Sequence, residues 1–308
     1  MRELPALLIF SVVVVGLLIV DLRWIHRHTR VIPFREAVFW SAVWIVLSLG
    51  FALGIHFWHG FDQALEFLAA YILEKSLSLD NIFFFAVVFT AMKVEESHQH
   101  KVLFWGVLGA IVARAVFIFA GLALISRFAW VHYLFGGLLV VTGVRALRKK
   151  KTAPSIEHNP LLRMARKFFP ITRNYAGSSF FVKIEGRLFA TPLFLVLLLL
   201  EMTDVLFALD SIPAVFAVTS DPFIAYTSNI LAILGLRAMY FMLASTIPRF
   251  RYLHLGLSCV LIFVGAKMLG SGFFRLNIIV TLGVICGVLV SVILASLQAE
   301  KKAKEKPA

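Results

Sequence analysis

The sequence predicts an all-α fold: a polytopic transmembrane helical bundle of about nine spans, containing two inverted three-helix repeats. Three observations predict it. Of 308 residues, 60% are hydrophobic and only 15% charged, with a mean hydropathy of +0.90. A soluble domain cannot hide that much apolar surface. The basic residues gather in alternate short loops, as they do in loops retained on one side of a membrane. Finally, three polar landmarks recur in the same order in the two halves of the chain.

A helix needs roughly 20 apolar residues to cross the hydrocarbon. Nine segments qualify, at about 4–20, 35–55, 64–90, 102–125, 131–147, 190–218, 226–246, 253–269 and 273–297. The first resembles a signal peptide, but it begins with a single Arg, lacks a small-residue cleavage site and runs into Asp21-Leu22-Arg23. It therefore reads as an uncleaved span. The second ends at His56, Trp58 and His59, which suit an interfacial belt. Gly136-Gly137, Gly265 and Gly283 dilute the fifth, eighth and ninth; glycine lets spanning helices approach closely. Cys259 and Cys286 fall inside the last two spans and read as packed core thiols, not as a disulfide or zinc framework.

The loops set the orientation. Arg23, Arg27, Arg30 and Arg35 follow the first span, and Lys93 and Lys101 the third. The loop after the fifth carries Arg148, Lys149, Lys150, Lys151, Arg163, Arg166, Lys167, Arg173, Lys183 and Arg187. Arg249 and Arg251 follow the seventh, and Lys301, Lys302, Lys304 and Lys306 end the chain. His56 to Asp62 and Thr219 to Ala225 hold no Lys or Arg, while Arg127 and Arg275 stand alone. The alternation predicts an N-terminus outside and a C-terminus in the cytoplasm, as for a bacterial inner-membrane protein. His98 and His100 then flank a cytoplasmic loop and read as solvated. The net charge of +13 reflects this topology and no nucleic-acid partner. The organisation is 1–62, two N-terminal spans; 63–147, a first repeat; 148–189, a basic cytoplasmic loop; 190–270, a second repeat; and 271–308, a last span with a basic tail.

The repeats align on residues. Glu74-Lys75-Ser76-Leu77-Ser78-Leu79-Asp80-Asn81 corresponds to Asp204-Val205-Leu206-Phe207-Ala208-Leu209-Asp210-Ser211. Arg114-Ala115-Val116-Phe117 matches Arg237-Ala238-Met239-Tyr240, and Thr142-Gly143-Val144-Arg145 matches Val264-Gly265-Ala266-Lys267. Three spans per repeat is odd, so the second repeat enters from the opposite side. Such proteins place their substrate at the repeat interface near the midplane.

Glu74, Asp80, Glu201, Asp204 and Asp210 lie within apolar spans. An ionised carboxylate at the bilayer centre costs about 2.5–3.5 kcal/mol on insertion scales and marks a functional site by default. With Asn81 and Ser211 they form an all-oxygen set without Cys or His, which favours Mg, Ca or Mn over Zn or Cu. Arg114 and Arg237 serve as counter-charges, and surplus carboxylates can carry protons. The plainer alternative is structural: acids and arginines pair to tie helices together, which is weak evidence of stabilisation. Lys75 either neutralises Glu74 or snorkels, and Asn229 is either a path residue or an interhelical bond. Acids six residues apart point about 240° apart on a regular helix. Sharing one ion therefore requires a helix interruption near Asp80 and Asp210, or a different partner for each acid. Pro213 supplies an interruption in the second repeat.

Leu73-Glu74 through Asp80-Asn81, Leu103-Phe104-Trp105-Gly106 through Ala110, Ser228-Asn229 through Arg237, and above all Ala190 through Glu201-Met202-Thr203-Asp204 to Asp210-Ser211-Ile212-Pro213-Ala214 resemble the TerC family of integral membrane proteins. The resemblance runs from about residue 35 to 270. It implies a lysine-exporter-like carrier, not an enzyme, that exports manganese(II) as its transported substrate, with no organic cofactor. The metal ligands would be Glu74, Asp80, Asn81, Glu201, Asp204, Asp210 and Ser211, with Arg114 and Arg237 as charge partners. The implied partners are a divalent metal ion and the lipid bilayer, and a homo-oligomer is compatible with both. Two other readings stay open: a tellurite-resistance factor handling an oxyanion, and a non-transporting assembly factor for membrane proteins.

Overall fold

The computed structural model describes residues 4–25, 33–148, 170–172, 174–243, 252–273 and 276–304. Arg27, Arg30, residues 149–169 of the basic loop, Arg173, Arg249, Arg251, Arg275 and Lys306 lie outside the described residues. The helices are α1 (Leu4–Ile25), α2 (Phe34–His59), α3 (Phe61–Ala91), α4 (Glu96–Arg127), α5 (Trp130–Arg148), α6 (Pro192–Phe216), α7 (Pro222–Leu234), α8 (Leu236–Leu243), α9 (Leu253–Leu269) and α10 (Ile278–Lys304).

Helix covers most of each apolar segment read from the sequence. Among the described residues, however, six helices are long and apolar enough to cross a membrane, or seven if the bent pair α7–α8 is one span. That is fewer than nine. α3 has 31 residues but carries Glu66, Glu74, Lys75 and Asp80. The apolar run of α1, Leu4–Ile19, is shorter than a span.

Local chemistry starts the helices of the second half. Pro192 opens α6, where its missing N–H costs no helical bond. Asp221 caps α7, its side chain accepting from the N–H groups of Phe223 (2.7 Å) and Ile224 (3.1 Å). Within the loop expected to be merely basic, β1 (Phe181–Ile184) and β2 (Arg187–Ala190) form an antiparallel hairpin. Glu185 and Gly186 turn it with positive φ (49° and 80°), as a two-residue hairpin loop demands. The preceding segment docks through Tyr175, whose hydroxyl donates to the Met92 carbonyl at 2.6 Å. Burial pushes that phenol above its ordinary range and keeps it a donor.

The interruption expected near Asp80 and Asp210 is absent. α3 runs unbroken and contains neither Gly nor Pro. Pro213 sits inside the last turn of α6, so its lost bond shortens nothing that would otherwise continue. The break falls instead at Gly235, where α7 and α8 meet at a bend of 40°. A Cβ at Gly235 would lie 2.6 Å from Lys75 Nζ and 3.1 Å from Trp44 Cβ, so glycine is what admits the lysine. Lys75 Nζ donates to the Ala232 carbonyl at 3.0 Å, satisfying one of the free carbonyls that end α7.

α5 and α9 form the closest helix pair. A Cβ on Gly143 would lie 2.9 Å from the Ser258 carbonyl, and one on Gly265 would lie 2.8 Å from the Gly136 carbonyl. The backbones touch there, as small residues permit. Two readings of single residues are corrected. Cys259 is exposed on the outer face of α9, with Cys286 half-buried, so neither is a core thiol. His100 is buried and stacks on Phe241 with ring centroids 4.1 Å apart, since its helix carries it under α8 and not into solvent.

Candidate functional site

α3 and α6 pack against each other, and α4 and α7 close a ring around them. The six-residue spacing of the acids decides what each ring position does. Because the helices are regular, the two acids of each helix face different ways and the set divides in two.

The inner group is held by Arg114 of α4, which is 1% exposed. Its Nη1 donates to Glu74 Oε1 at 2.5 Å and to Ser211 Oγ at 2.6 Å, with Asn229 Oδ1 at 3.4 Å. Asn229 Nδ2 in turn donates to Glu74 Oε2 at 3.0 Å, and Asn81 Nδ2 donates to Asp204 Oδ1 at 2.9 Å. Ser211 is also placed to bond Glu74. Arg114 Nε lies 3.8 Å from Asp204 Oδ2, and neither atom has a hydrogen-bond partner among the described residues. Two buried carboxylates thus share one guanidinium, and one oxygen of the group is left with Coulomb attraction alone. Such an atom is unusual inside a protein and points to a missing partner.

The outer group is Asp80 and Asp210. Both line a cavity of about 620 Å³ between α3, α5 and α6, with Asn81, Arg114 and Ser211 at its inner end. Thr142 Oγ1 donates to Asp210 Oδ1 at 3.0 Å. Arg145 and Arg148, at the C-terminal end of α5, stand at the other end of the cavity. Asn81, Arg114 and Ser211 therefore belong to both groups, and the two are continuous.

The other expected residues sit as follows. Glu201 is half-buried against α4, its carboxylate so near Gly109 that any side chain there would collide with it. Arg237 is buried in α8 just past the break, while the bonds to Glu74 and Ser211 are made by Arg114. Asn229 turns out to be an interhelical bond partner, and Lys75 caps α7. Thr142 was missed as a neighbour of the acids, although its place beside the recurring Gly143 was visible. Among the described residues no three of the His, Cys, Asp and Glu side chains converge to hold a metal ion between them.

Comparison with known proteins finds integral membrane proteins. The profile of the integral membrane protein TerC family matches residues 59–304. A Myxococcus xanthus protein named "Uncharacterized membrane protein STKORF319" is 49% identical over 288 residues, covering 94% of this chain and 90% of that protein. The Escherichia coli protein named "Putative membrane-bound redox modulator Alx" is 45% identical over 291 residues, covering 91% and 90%. Its namesake in Photorhabdus laumondii is 44% identical over 302 residues, covering 95% and 94%. No solved structure matches.

Proposed function

We propose that this chain, which belongs to the TerC family of integral membrane proteins, is a carrier that exports a hard divalent cation, manganese(II), through the carboxylates of α3 and α6. The observation that carries the reading is the buried Asp204, whose Oδ2 is unsatisfied while its Oδ1 accepts from Asn81, a residue that lines the cavity together with Asp80, Asp210 and Ser211. Oxygen donors of this kind suit Mn, Mg and Ca, and small hard ions keep several waters when bound. A 620 Å³ cavity has room for a partly hydrated ion, which pairs of carboxylates can hold without three converging directly. Arg114 is the resident counter-ion of the inner acids, and an arriving cation competes with it for Glu74 and Asp204. Exchange for protons on the surplus carboxylates is the coupling we favour.

The inverted repeat belongs to the same reading, and helix pairing supports it. α3 meets α7 as extensively as α4 meets α6, which exchanging the repeats requires. The same shift along the chain that carries Gly143 to Gly265 carries Gly136 to Ser258. It therefore turns the contact of Gly143 with Ser258 into that of Gly265 with Gly136, and both contacts exist. A pair of helices related by a two-fold axis behaves this way. Nine crossings, an outside N-terminus and placement in the inner membrane follow from the loop charges. Exporting a redox-active cation is also one way for a membrane protein to act on redox state, the role the relatives' name describes.

The test is cellular. Cells making the protein should accumulate less manganese under manganese stress, and unchanged cellular manganese with the protein present in the membrane would sink the proposal. A second reading has one observation behind it: Arg114, Arg145 and Arg148 also line the cavity, which favours an oxyanion. Uptake of labelled tellurite by vesicles bearing the protein separates the two.

A further inference from the structure

The hairpin of β1 and β2 stands directly before α6, with only Thr191 between Ala190 and the first helical residue, Pro192. A helix that crosses the bilayer starts near the headgroups, so the base of the hairpin lies at that depth. Phe181 fixes the level: its ring meets that of Phe194, in the first turn of α6, with centroids 4.7 Å apart. The segment is fastened there at three points. Tyr175 bonds the Met92 carbonyl between α3 and α4. Lys101 Nζ of α4 donates to the Ser178 carbonyl at 2.6 Å and stands 4.8 Å from the Phe180 ring centre. Thr191 Oγ1 donates to the Ser179 carbonyl at 2.7 Å.

Side chains alternate across a strand, and directly paired residues share a face. The register pairs Phe181 with Ala190 and Lys183 with Leu188, so these four point one way. Val182, Ile184, Arg187 and Phe189 point the other way. Phe181 and Leu188 are 41% and 57% exposed. On a spanning helix lipid covers such side chains; on a strand outside those helices, two together need another cover. Lys183 and Arg187 are exposed as well, the first on the same face and the second at its margin. The hairpin's one acid, Glu185, is in the turn, the part farthest from α6. Apolar side chains beside exposed basic ones, at the depth of the headgroups, match the chemistry of an anionic membrane surface.

We propose that the face of Phe181, Lys183 and Leu188 is a membrane-interface site that binds anionic phospholipids. Phe181 and Leu188 enter the boundary of the acyl chains. Lys183, with Arg187 beside it, takes the headgroup phosphates while the methylene stems stay over apolar surface. The inference needs α6 to span the membrane, and it is independent of the ion the protein carries. It also reaches the buried acids. Lipid held by the hairpin rests on a segment tied to the ends of α3, α4 and α6, the helices that carry Glu74, Arg114 and Asp204.

The experiment uses full-length protein with Cys259→Ala and Cys286→Ala in nanodiscs of phosphatidylcholine, alone or with rising fractions of phosphatidylglycerol. Leu188→Cys and Ile184→Cys each carry an environment-sensitive dye. At 188 the emission should shift to the blue and be quenched by spin-labelled lipid, more strongly with phosphatidylglycerol. At 184, on the opposite face, acrylamide in the water should be the better quencher. A basic side chain near an anionic surface is worth roughly fivefold in affinity. Lys183→Gln with Arg187→Gln should therefore raise the phosphatidylglycerol fraction that half-shifts the 188 dye at least fivefold. The melting temperature should stay unchanged, because both side chains are exposed. Quenching at 188 by acrylamide in every membrane overturns the site. A dye at 188 shielded from both quenchers also overturns it, since protein then covers the face. Equal lipid quenching with and without phosphatidylglycerol removes the headgroup recognition. Lipid quenching at 184 in place of 188 refutes the assigned face.

Discussion

Arg114 Nη1 donates to Glu74 Oε1 at 2.5 Å, with both side chains buried. A guanidinium fixed between carboxylates of two different helices has two consequences. It makes the acids tolerable in an apolar setting, and it puts a cation where a transported cation has to arrive.

Removing the guanidinium alone should therefore be costly. Breaking a buried pair by deleting one partner typically destabilises by about 3–5 kcal/mol. Arg114→Met should lower the melting temperature of the purified protein sharply, and adding Glu74→Gln should recover much of the loss. Equal melting temperatures for the single and double variants would show that the two side chains are not energetically coupled.

Asp80 and Asp210 should behave differently, because they line a cavity and are only half-buried. Asp80→Asn and Asp210→Asn should leave the melting temperature nearly unchanged yet abolish the protein's effect on cellular manganese. Full export by both variants would remove these acids from the path.

Lys75 is bonded to the Ala232 carbonyl where α7 stops. Leaving a buried acceptor unsatisfied costs about 1–3 kcal/mol. Lys75→Met should thus destabilise the protein and speed hydrogen exchange in α7 and α8 above other helices. Exchange that rises evenly across the molecule would argue against a local cap.

The contact of α5 with α9 leaves no room for side chains. Gly265→Leu should be more damaging than Gly283→Leu, because nothing lies within 4 Å of a Cβ at Gly283. Overpacking costs typically about 1–3 kcal/mol, visible as a lower melting midpoint for the first variant only.

Manganese itself should stabilise the folded protein. At 100 times the dissociation constant, a ligand that binds only the folded state adds about 2.7 kcal/mol. The melting temperature should rise with manganese(II), return after chelation, and fail to rise in Asp210→Asn. A rise of the same size in that variant would place the ion elsewhere.

Much of the helical framework was legible because apolar length and loop charge report directly on helices in a bilayer. The acids were legible too, since a charge in an apolar run needs either a partner or a role. The break was not. Pro213 looked like the interruption, but its effect depends on how much helix follows, and only one short turn does. Gly235, inside Ile233-Leu234-Gly235-Leu236, looked like any other glycine of an apolar run, and the Lys75 that meets it comes from another helix.

The bare contact between α5 and α9 also bears on how such a molecule could move. Where Gly143 meets Ser258 and Gly265 meets Gly136, the side chains of Ile262 and Val140 rest on glycines and not on other side chains. A side chain that faces a glycine can slide along it without displacing a facing rotamer. Friction in that joint is then a matter of sliding dispersion contacts, each worth only about 0.1–0.2 kcal/mol per atom pair. The helices richest in glycine, which look structurally weakest in the sequence, are thereby suited to serve as the bearing of the machine.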